Sequence, residues 1–134
     1  MFRNVFEIKT DAKTEIIDIT NQINYIVGKS GAKIGIVNVY SRHSTSGVVV
    51  NENEPGLVED FTEALETLIK TEHSYKHNQI DNNADSHIRS FFIGNSVTIP
   101  IDNGNIDLGT WQSIFFVELD GPRTRKITVT VIGE

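Results

Sequence analysis

The segment at residues 77–88, HNQIDNNADSHI, contains two histidines, two aspartates and three asparagines. Asn and Asp are frequent in loops because their side chains hydrogen-bond their own backbone, but turn formation does not require histidine. His43 lies elsewhere, in the segment RHST (42–45) between two apolar stretches. His43, His77 and His87 can therefore meet as a three-histidine metal site that keeps one coordination position open. Without an HxH or HExxH pattern, polar histidines with no ligand role remain the alternative.

The metal expected at such a site follows from the ligand type. Imidazole nitrogens suit zinc and related ions, whereas magnesium prefers oxygen ligands and water. Zinc is therefore the expected divalent metal. The alternative is that the histidines act as acid/base groups beside a separate magnesium ion. The roles of Asp81 and Asp85 stay open, and His73 is expected on the surface at the charged end of a helix.

Three further segments carry candidate catalytic or substrate-binding residues. Glu52, in NENE (51–54), can act as a general acid or base near His43, or it can simply belong to a turn. Arg123, in the turn DGPR, is suited to bidentate phosphate binding, and Arg125 follows closely. Additional anion donors are expected from the hydroxyls of Ser44 and Thr110 and from the backbone at Gly109.

The composition limits the classes of function. The chain has 134 residues, 38% of them hydrophobic, and a net charge of −6, which favours one soluble globular domain over residues 1–134 and disfavours nucleic-acid binding. It contains no cysteine, which excludes disulfides and cysteine-based sites. The early charges of the N-terminal segment do not fit a signal peptide, and no apolar run is long enough to span a membrane. We therefore expect a cytoplasmic protein.

The elements that must position these residues are mostly strands. Alternating or β-branched segments predict strands near residues 2–8, 15–19, 33–41, 46–52 and in several segments after Val97. Apolar residues at helical spacing predict three helices: one with Ile23, Ile26 and Val27, one after the Pro55-Gly56 break, and one capped by Asp85 or Ser86. The third helix is expected to bury Ile88, Phe91 and Phe92 and to stop at Gly94. The order predicts an α+β fold in which mostly antiparallel sheets pack with two or three helices.

The order of three motifs resembles the YjbQ-like family, also known as the secondary thiamine-phosphate synthase family. The matching segments are HSTSGVVVNEN (43–53), YKHNQIDNNADSHIRSFFIGNS (75–96) and NGNIDLGTWQSIFFVELDGPRTRKITVTVIGE (103–134). The resemblance implies a YjbQ-like fold, a homotrimer, and a pocket where His43, His77 and His87 gather around a metal. It also implies a thiamine-phosphate synthase-like transferase activity, in which a pyrimidine diphosphate couples to a thiazole phosphate and pyrophosphate leaves.

Two alternatives to this synthase activity remain open. The first is a metal-assisted hydrolase of one small phosphorylated metabolite, which uses the open metal position to generate hydroxide. The second is a non-catalytic trimeric protein that binds a metabolite. A synthase requires two substrates, a hydrolase consumes one, and a binding protein turns over neither.

Overall fold

A computed structural model describes residues 1–134 as two antiparallel sheets and three α-helices. The strands are Phe2–Lys9 (β1), Glu15–Asp18 (β2), Gly35–Ser41 (β3), Ser46–Asn51 (β4), Ser96–Asp102 (β5), Asn105–Ile106 (β6), Ser113–Glu118 (β7) and Thr124–Gly133 (β8). The helices are Thr20–Ser30 (α1), Pro55–Leu68 (α2) and Ala84–Ile93 (α3), with a 3-10 turn at Lys76–Gln79. None of the helices has the length and apolar character needed to cross a membrane.

The two sheets pack face to face and enclose the core. One sheet has the strand order β1-β8-β3-β5-β6 and the other β2-β7-β4, and every neighbouring pair is antiparallel. Val37 and Val129 of the first sheet share one cluster of 15 buried residues with Val48 and Phe116 of the second. Alternate side chains of each strand point into this cluster because successive side chains face opposite sides of a sheet. The predicted α+β fold is confirmed.

Helix α1 forms where the apolar spacing predicts it. Ile23, Ile26 and Val27 are buried and belong to the main core, which matches a helical period of 3.6 residues. The helix ends before Gly31, whose φ of 75° lies in the left-handed region that glycine adopts without strain. Local sequence therefore accounts for both the buried face and the end of this helix.

Helix α2 starts earlier than the sequence predicts. Pro55 and Gly56 belong to its first turn, although the sequence predicts a break there. Proline is tolerated at this position because the first N–H groups of a helix have no intrahelical partner. The side chain of Glu54 accepts hydrogen bonds from the N–H groups of Gly56 and Leu57 and so caps the helix. Leu65 packs against the outer face of the three-stranded sheet.

Helix α3 ends at Gly94 as predicted, but its buried face differs from the prediction. Phe91 and Phe92, which the apolar spacing assigns to the core, are 87% and 79% exposed. The buried side chains are instead polar, namely Asp85, Ser86 and Arg89. The predicted caps are also wrong, because the helix starts at Ala84 and neither Asp85 nor Ser86 precedes it.

Long-range polar contacts explain why α3 buries polar side chains and exposes its phenylalanines. Asp85 pairs with Lys13 at 2.7 Å and with Arg89 at 3.3 Å, and it accepts a hydrogen bond from Thr71. Burial raises the pKa of Asp85, but the hydrogen bonds from Lys13 and Thr71 outweigh burial and hold it below its ordinary value. Asp85 thus has a structural role, joining α3 to the β1–β2 connection and to the segment after α2.

Candidate functional site

Two of the candidate histidines are in direct contact. His77 lies on the 3-10 turn and His87 on α3, and their ring centroids are 4.9 Å apart with the planes inclined at 74°. The segment between them folds back because Asn78 Oδ1 accepts the N–H of Ala84, the first residue of α3. The loop of asparagines and aspartates therefore brings its two histidines together.

A chain of hydrogen bonds sets the tautomer of neutral His77. Asn83 is 8% exposed, and its Nδ2 donates to Asp120 Oδ2 at 2.9 Å. This contact orients the amide so that its Oδ1 faces His77 Nε2, also at 2.9 Å. Because Oδ1 can only accept, Nε2 carries the proton and Nδ1 of the neutral ring keeps its lone pair. His77 Nδ1 is therefore available to accept a proton.

His43 is held in the opposite tautomer. It lies between β3 and β4, and its Nε2 accepts the backbone N–H of Lys126 at 2.9 Å. The proton of the neutral ring is therefore on Nδ1, which can donate to a ligand. Burial lowers the pKa of His43, and the positive charge of Arg125 lowers it further. Near neutral pH this residue is an uncharged hydrogen-bond donor.

His43 and His87 face the same cleft, which has a volume of about 300 Å³. This size is at the lower end of the range for small-molecule sites. Most of its lining residues are of polar type, and they include Ser44 and Ser90. Its remaining lining residues are Phe91, Gly94 and Asn95. We refer to this cavity, together with the adjoining His77, as the histidine cleft.

A buried ion pair supports the loop that carries His43. Arg125 Nε lies 2.9 Å from Glu118 Oε1, and Arg125 also donates to the carbonyl and hydroxyl oxygens of Thr45. Thr10 donates to the same Glu118 carboxylate at 2.7 Å. Burial raises the pKa of Glu118, but the hydrogen bonds from Arg125 and Thr10 outweigh it and hold the pKa below its ordinary value. Arg125 is thus a structural residue and does not face solvent as an anion ligand.

Arg123 is accessible and connected to the same network. Its side chain is 52% exposed and forms an ion pair with Asp120 Oδ2 at 3.1 Å. Its Nε also donates to the Asp120 carbonyl at 2.9 Å. Asp120 therefore links Arg123 to Asn83 and, through it, to His77. Asn83 and Asp120 are not among the residues predicted from the sequence, because their only signals are their positions inside segments that are typical of turns.

The expected three-histidine metal centre does not fit this arrangement of donors. No group of three His, Asp or Glu side chains is placed to hold a metal ion. His43 Nε2 is occupied by the Lys126 N–H, and its Nδ1 carries the ring proton, so neither nitrogen offers a lone pair to a metal. His77 Nδ1 and His87 are the imidazole donors that remain. Two ligands are fewer than the three protein ligands of a catalytic zinc site.

Glu52, Gly109 and Thr110 lie away from the histidine cleft within one chain. Glu52 follows the end of β4, whereas His43 and Ser44 precede its start, so about 17 Å of strand separates them. Gly109 and Thr110 precede Ser113, which pairs with Asn51 at this same far end. The sequence expectation that Glu52 acts beside His43 is therefore corrected for a single chain. Sequence proximity to His43 was misleading because an extended strand separates the two residues.

Known proteins and one family model are similar to this chain over almost its whole length. Residues 4–134 match the family model described as UPF0047 protein YjbQ-like. A UPF0047 protein of Methanothermobacter thermautotrophicus is 52% identical over 127 residues, covering 95% of this chain and 89% of the relative. The UPF0047 protein YugU of Bacillus subtilis is 34% identical, covering 95% of this chain and 96% of the relative. The crystal structure of a YbjQ-like protein of unknown function from Sulfolobus solfataricus has a TM-score of 0.97 at 42% identity, covering 99% of this chain and 97% of that one.

Proposed function

This chain belongs to the UPF0047 YjbQ-like family, and from the geometry of its histidine cleft we propose that it is an enzyme of small phosphorylated metabolites. In this proposal His77 takes a proton from the substrate or from an attacking nucleophile. His43 donates a hydrogen bond to an anionic oxygen, and Arg123 binds phosphate. Thiamine-phosphate synthase-like transfer is one reaction of this class, and hydrolysis of a single substrate is another.

The observation that carries the proposal is the hydrogen-bond chain from Asp120 through Asn83 to His77. A neutral histidine with a fixed N–H and a free lone pair on the opposite nitrogen is the arrangement expected of a general base. An acceptor that orients the protonated nitrogen also stabilises the imidazolium formed when the base takes its proton. Asn83 provides this acceptor, and Asp120 holds Asn83 in place.

Positive charge near the cleft supports an anionic substrate. The charges of Arg123 and Arg42 are close enough to His43 to lower its pKa, in addition to the effect of burial and of Arg125. Both side chains belong to exposed residues and so are accessible to a phosphate group. Guanidinium donors stabilise the charge that develops on a leaving phosphate or pyrophosphate. The Ser44 hydroxyl lies in the same cleft and adds a further donor.

The volume of the cleft favours one small substrate within a single chain. A space of about 300 Å³ suits one phosphorylated compound better than the two substrates of a synthase. Hydrolysis of one phosphorylated metabolite, with His77 activating water, is therefore the second candidate. We propose no step through a metal, because the donor geometry does not complete a three-ligand site.

The test is a turnover assay that separates these reactions. The protein is incubated with single phosphomonoesters and diphosphates, and with the pyrimidine diphosphate and thiazole phosphate together, while ³¹P NMR follows released phosphate and pyrophosphate. We expect turnover with wild type and with the control His73→Ala, and at least a hundredfold loss with His77→Ala, in line with general-base catalysis. Equal turnover by His77→Ala would contradict the proposal. Tight phosphate binding without turnover would favour the non-catalytic binding protein.

The oligomeric state and the location of the protein belong to the same proposal. We propose a homotrimer, the assembly that the family resemblance implies, acting in the cytoplasm. The exposed apolar residues of α3 give a physical reason for an assembly of several chains.

A further inference from the structure

Helix α3 carries an apolar projection beside the histidine cleft. Phe91 and Phe92 are adjacent and almost fully exposed, because polar side chains occupy the buried face of this helix. Phe91 also lines the histidine cleft. Each phenylalanine can bury on the order of 150–250 Å² of surface, so exposing two of them side by side is unfavourable in water. We refer to this pair as the phenylalanine knob.

The same chain has a matching apolar cleft elsewhere. It lies between the N-terminal half of α2 and the outer face of the three-stranded sheet, and its volume is about 490 Å³. Leu57 and Phe61 line it on the helix side, and Ile16, Val49 and Phe115 line it on the sheet side. We refer to this cavity as the α2 cleft. Its size and apolar lining are sufficient to accept aromatic side chains.

A chain does not fill its own α2 cleft with its own knob, because Phe91 and Phe92 are both largely exposed. The end of α3 lies over the start of β4, where Gly94 O accepts the N–H of Val48 and a Cβ on Gly47 would lie 2.5 Å from Ile93 Cγ2. The α2 cleft begins at Val49 of the same strand and extends to Asn51. Ile93, at the end of α3, packs in the same cluster as Phe61 and Val49. The end of α3 therefore adjoins the α2 cleft, but the exposed knob does not fill it.

The charges around the two features are complementary. The rim of the α2 cleft is acidic, with Glu52 and Asp60 among its lining residues. The exposed residues near His43 include the cations Arg42, Arg123 and Lys126. Opposite charges at two apolar surfaces favour their association and fix their orientation.

From these observations we propose that the phenylalanine knob of one chain docks into the α2 cleft of a second copy, so that the second copy's Glu52 reaches the rim of the first copy's histidine cleft. Such contacts are head-to-tail, and they close into a ring when the rotation from one copy to the next returns to the first copy, as in a homotrimer. The site then combines residues that a single chain keeps apart. This last consequence rests on the proposed function, whereas the docking itself does not.

The docking is tested by complementary variants and light scattering. Phe91→Asp together with Phe92→Asp removes the knob but leaves the cleft, and Leu57→Asp damages the cleft but leaves the knob. We expect each variant alone to fall from the wild-type mass to the 15.0 kDa monomer. An equimolar mixture should form a heterodimer of twice that mass, because one intact knob and one intact cleft remain. The control Tyr25→Asp, at an exposed position on α1, should keep the wild-type mass.

Two outcomes of this experiment would overturn the proposed docking. Wild-type mass in either variant, or a mixture that stays monomeric, would show that the knob and cleft do not meet. Should a charged variant unfold, Phe91→Ser with Phe92→Ser and Leu57→Ser give the same comparison without buried charge.

The shared site has a separate test. His77→Ala and Glu52→Gln chains are each assayed alone and after mixing, with the substrate found for wild type. We expect each variant to be at least tenfold less active than wild type, and the mixture to recover activity because some interfaces contain an intact His77 and an intact Glu52. No recovery in mixed rings would overturn the shared site. An inactive wild type with the expected masses would overturn the proposed function and leave the docking intact.

Discussion

The backbone N–H of Lys126 donates to Nε2 of His43 at 2.9 Å. This contact assigns the ring proton of neutral His43 to Nδ1, so the residue presents a donor to the histidine cleft. It also distinguishes His43 from His77, whose hydrogen bond to Asn83 leaves Nδ1 as an acceptor. A histidine donor, His43, therefore lines the cavity, and a histidine acceptor, His77, adjoins it through His87. The tautomers of these two residues lead to the following predictions.

The first prediction concerns metal content. Equilibrium dialysis against zinc should give the same bound zinc for His43→Ala as for wild type, because His43 has no free lone pair in this arrangement. Any zinc that binds at His77 and His87 should be reduced by replacing either of those residues. If His43→Ala loses zinc as completely as His87→Ala does, the three-histidine centre predicted from the sequence is correct and the hydrogen bond from Lys126 is not maintained.

The second prediction concerns the titration of His43. NMR should give a midpoint below the ordinary value of 6.5 in the folded protein, and a value near 6.5 in urea. Because the folded pKa is the lower one, the unfolded chain takes up the proton first, and this contribution to stability is lost as pH falls from 6.5 toward the folded pKa. Arg42→Gln should raise the midpoint, since Arg42 contributes to lowering it. A folded midpoint above 6.5 would contradict the burial of this ring.

The third prediction concerns Asn83. Asn83→Leu removes the acceptor at His77 Nε2, so ¹⁵N shifts of His77 should change from one protonated nitrogen to a mixture of both tautomers. Activity should fall at least tenfold through kcat, because fewer molecules hold the base in its reactive form. Asn21→Leu, at an exposed position on α1, is the matched control and should leave both readouts unchanged. An unaltered His77 spectrum in Asn83→Leu would show that the amide does not set the tautomer.

The fourth prediction concerns phosphate binding. Arg123→Lys keeps the charge but loses the planar guanidinium, so calorimetry should show binding of inorganic phosphate or pyrophosphate weakened by about tenfold. The unfolding midpoint should change little, because the side chain is 52% exposed. Arg3→Lys, on the exposed side of β1, serves as the control for a change of the same kind elsewhere. If both variants weaken phosphate binding equally, Arg123 is not the residue that binds phosphate.

The fifth prediction concerns the buried pair of Glu118 and Arg125. Glu118→Gln leaves the Arg125 charge buried without a partner, and the free energy of unfolding in urea should fall by about 3–5 kcal/mol. The pKa of Glu118 is below its ordinary 4.5, so its stabilisation is present above pH 4.5 and is lost as pH falls through the folded pKa. The variant should therefore lose less stability than wild type over this acidic range. Glu7→Gln, on exposed β1, should behave like wild type in both measurements.

The sequence predicts those parts of the fold that depend on local chemistry. The buried face of α1 and its end at Gly31 follow from apolar spacing and from the preference of glycine for positive φ. The turn between β5 and β6 is similar, because Asn103 and Gly104 both have positive φ, and Asn-Gly is a preferred pair for such turns. In these places neighbouring residues contain the information that decides the structure.

Sequence patterns do not predict the structure where it depends on contacts between residues far apart in the chain. The partners of Asp85 on α3 include Lys13 and Thr71, which are far away in the chain, and their contacts override the apolar spacing that assigned Phe91 to the core. For the same reason, only part of the site could be predicted from the sequence. His77 and His87 are close in sequence and meet, whereas the placement of Glu52 depends on the length and pairing of β4.

The arrangement of the five-stranded sheet has a consequence for biosynthesis. Strand β8 is translated after the other seven strands, yet it lies between β1 and β3 and pairs with both. During translation β1 has no partner strand until β8 has left the ribosome. Until then its apolar residues, such as Phe6, are exposed to other chains. Pairing of such distant segments is also slow to form. Nascent chains stalled before Thr124 should therefore be protease-sensitive and bind chaperones, and protection should appear only when β8 emerges.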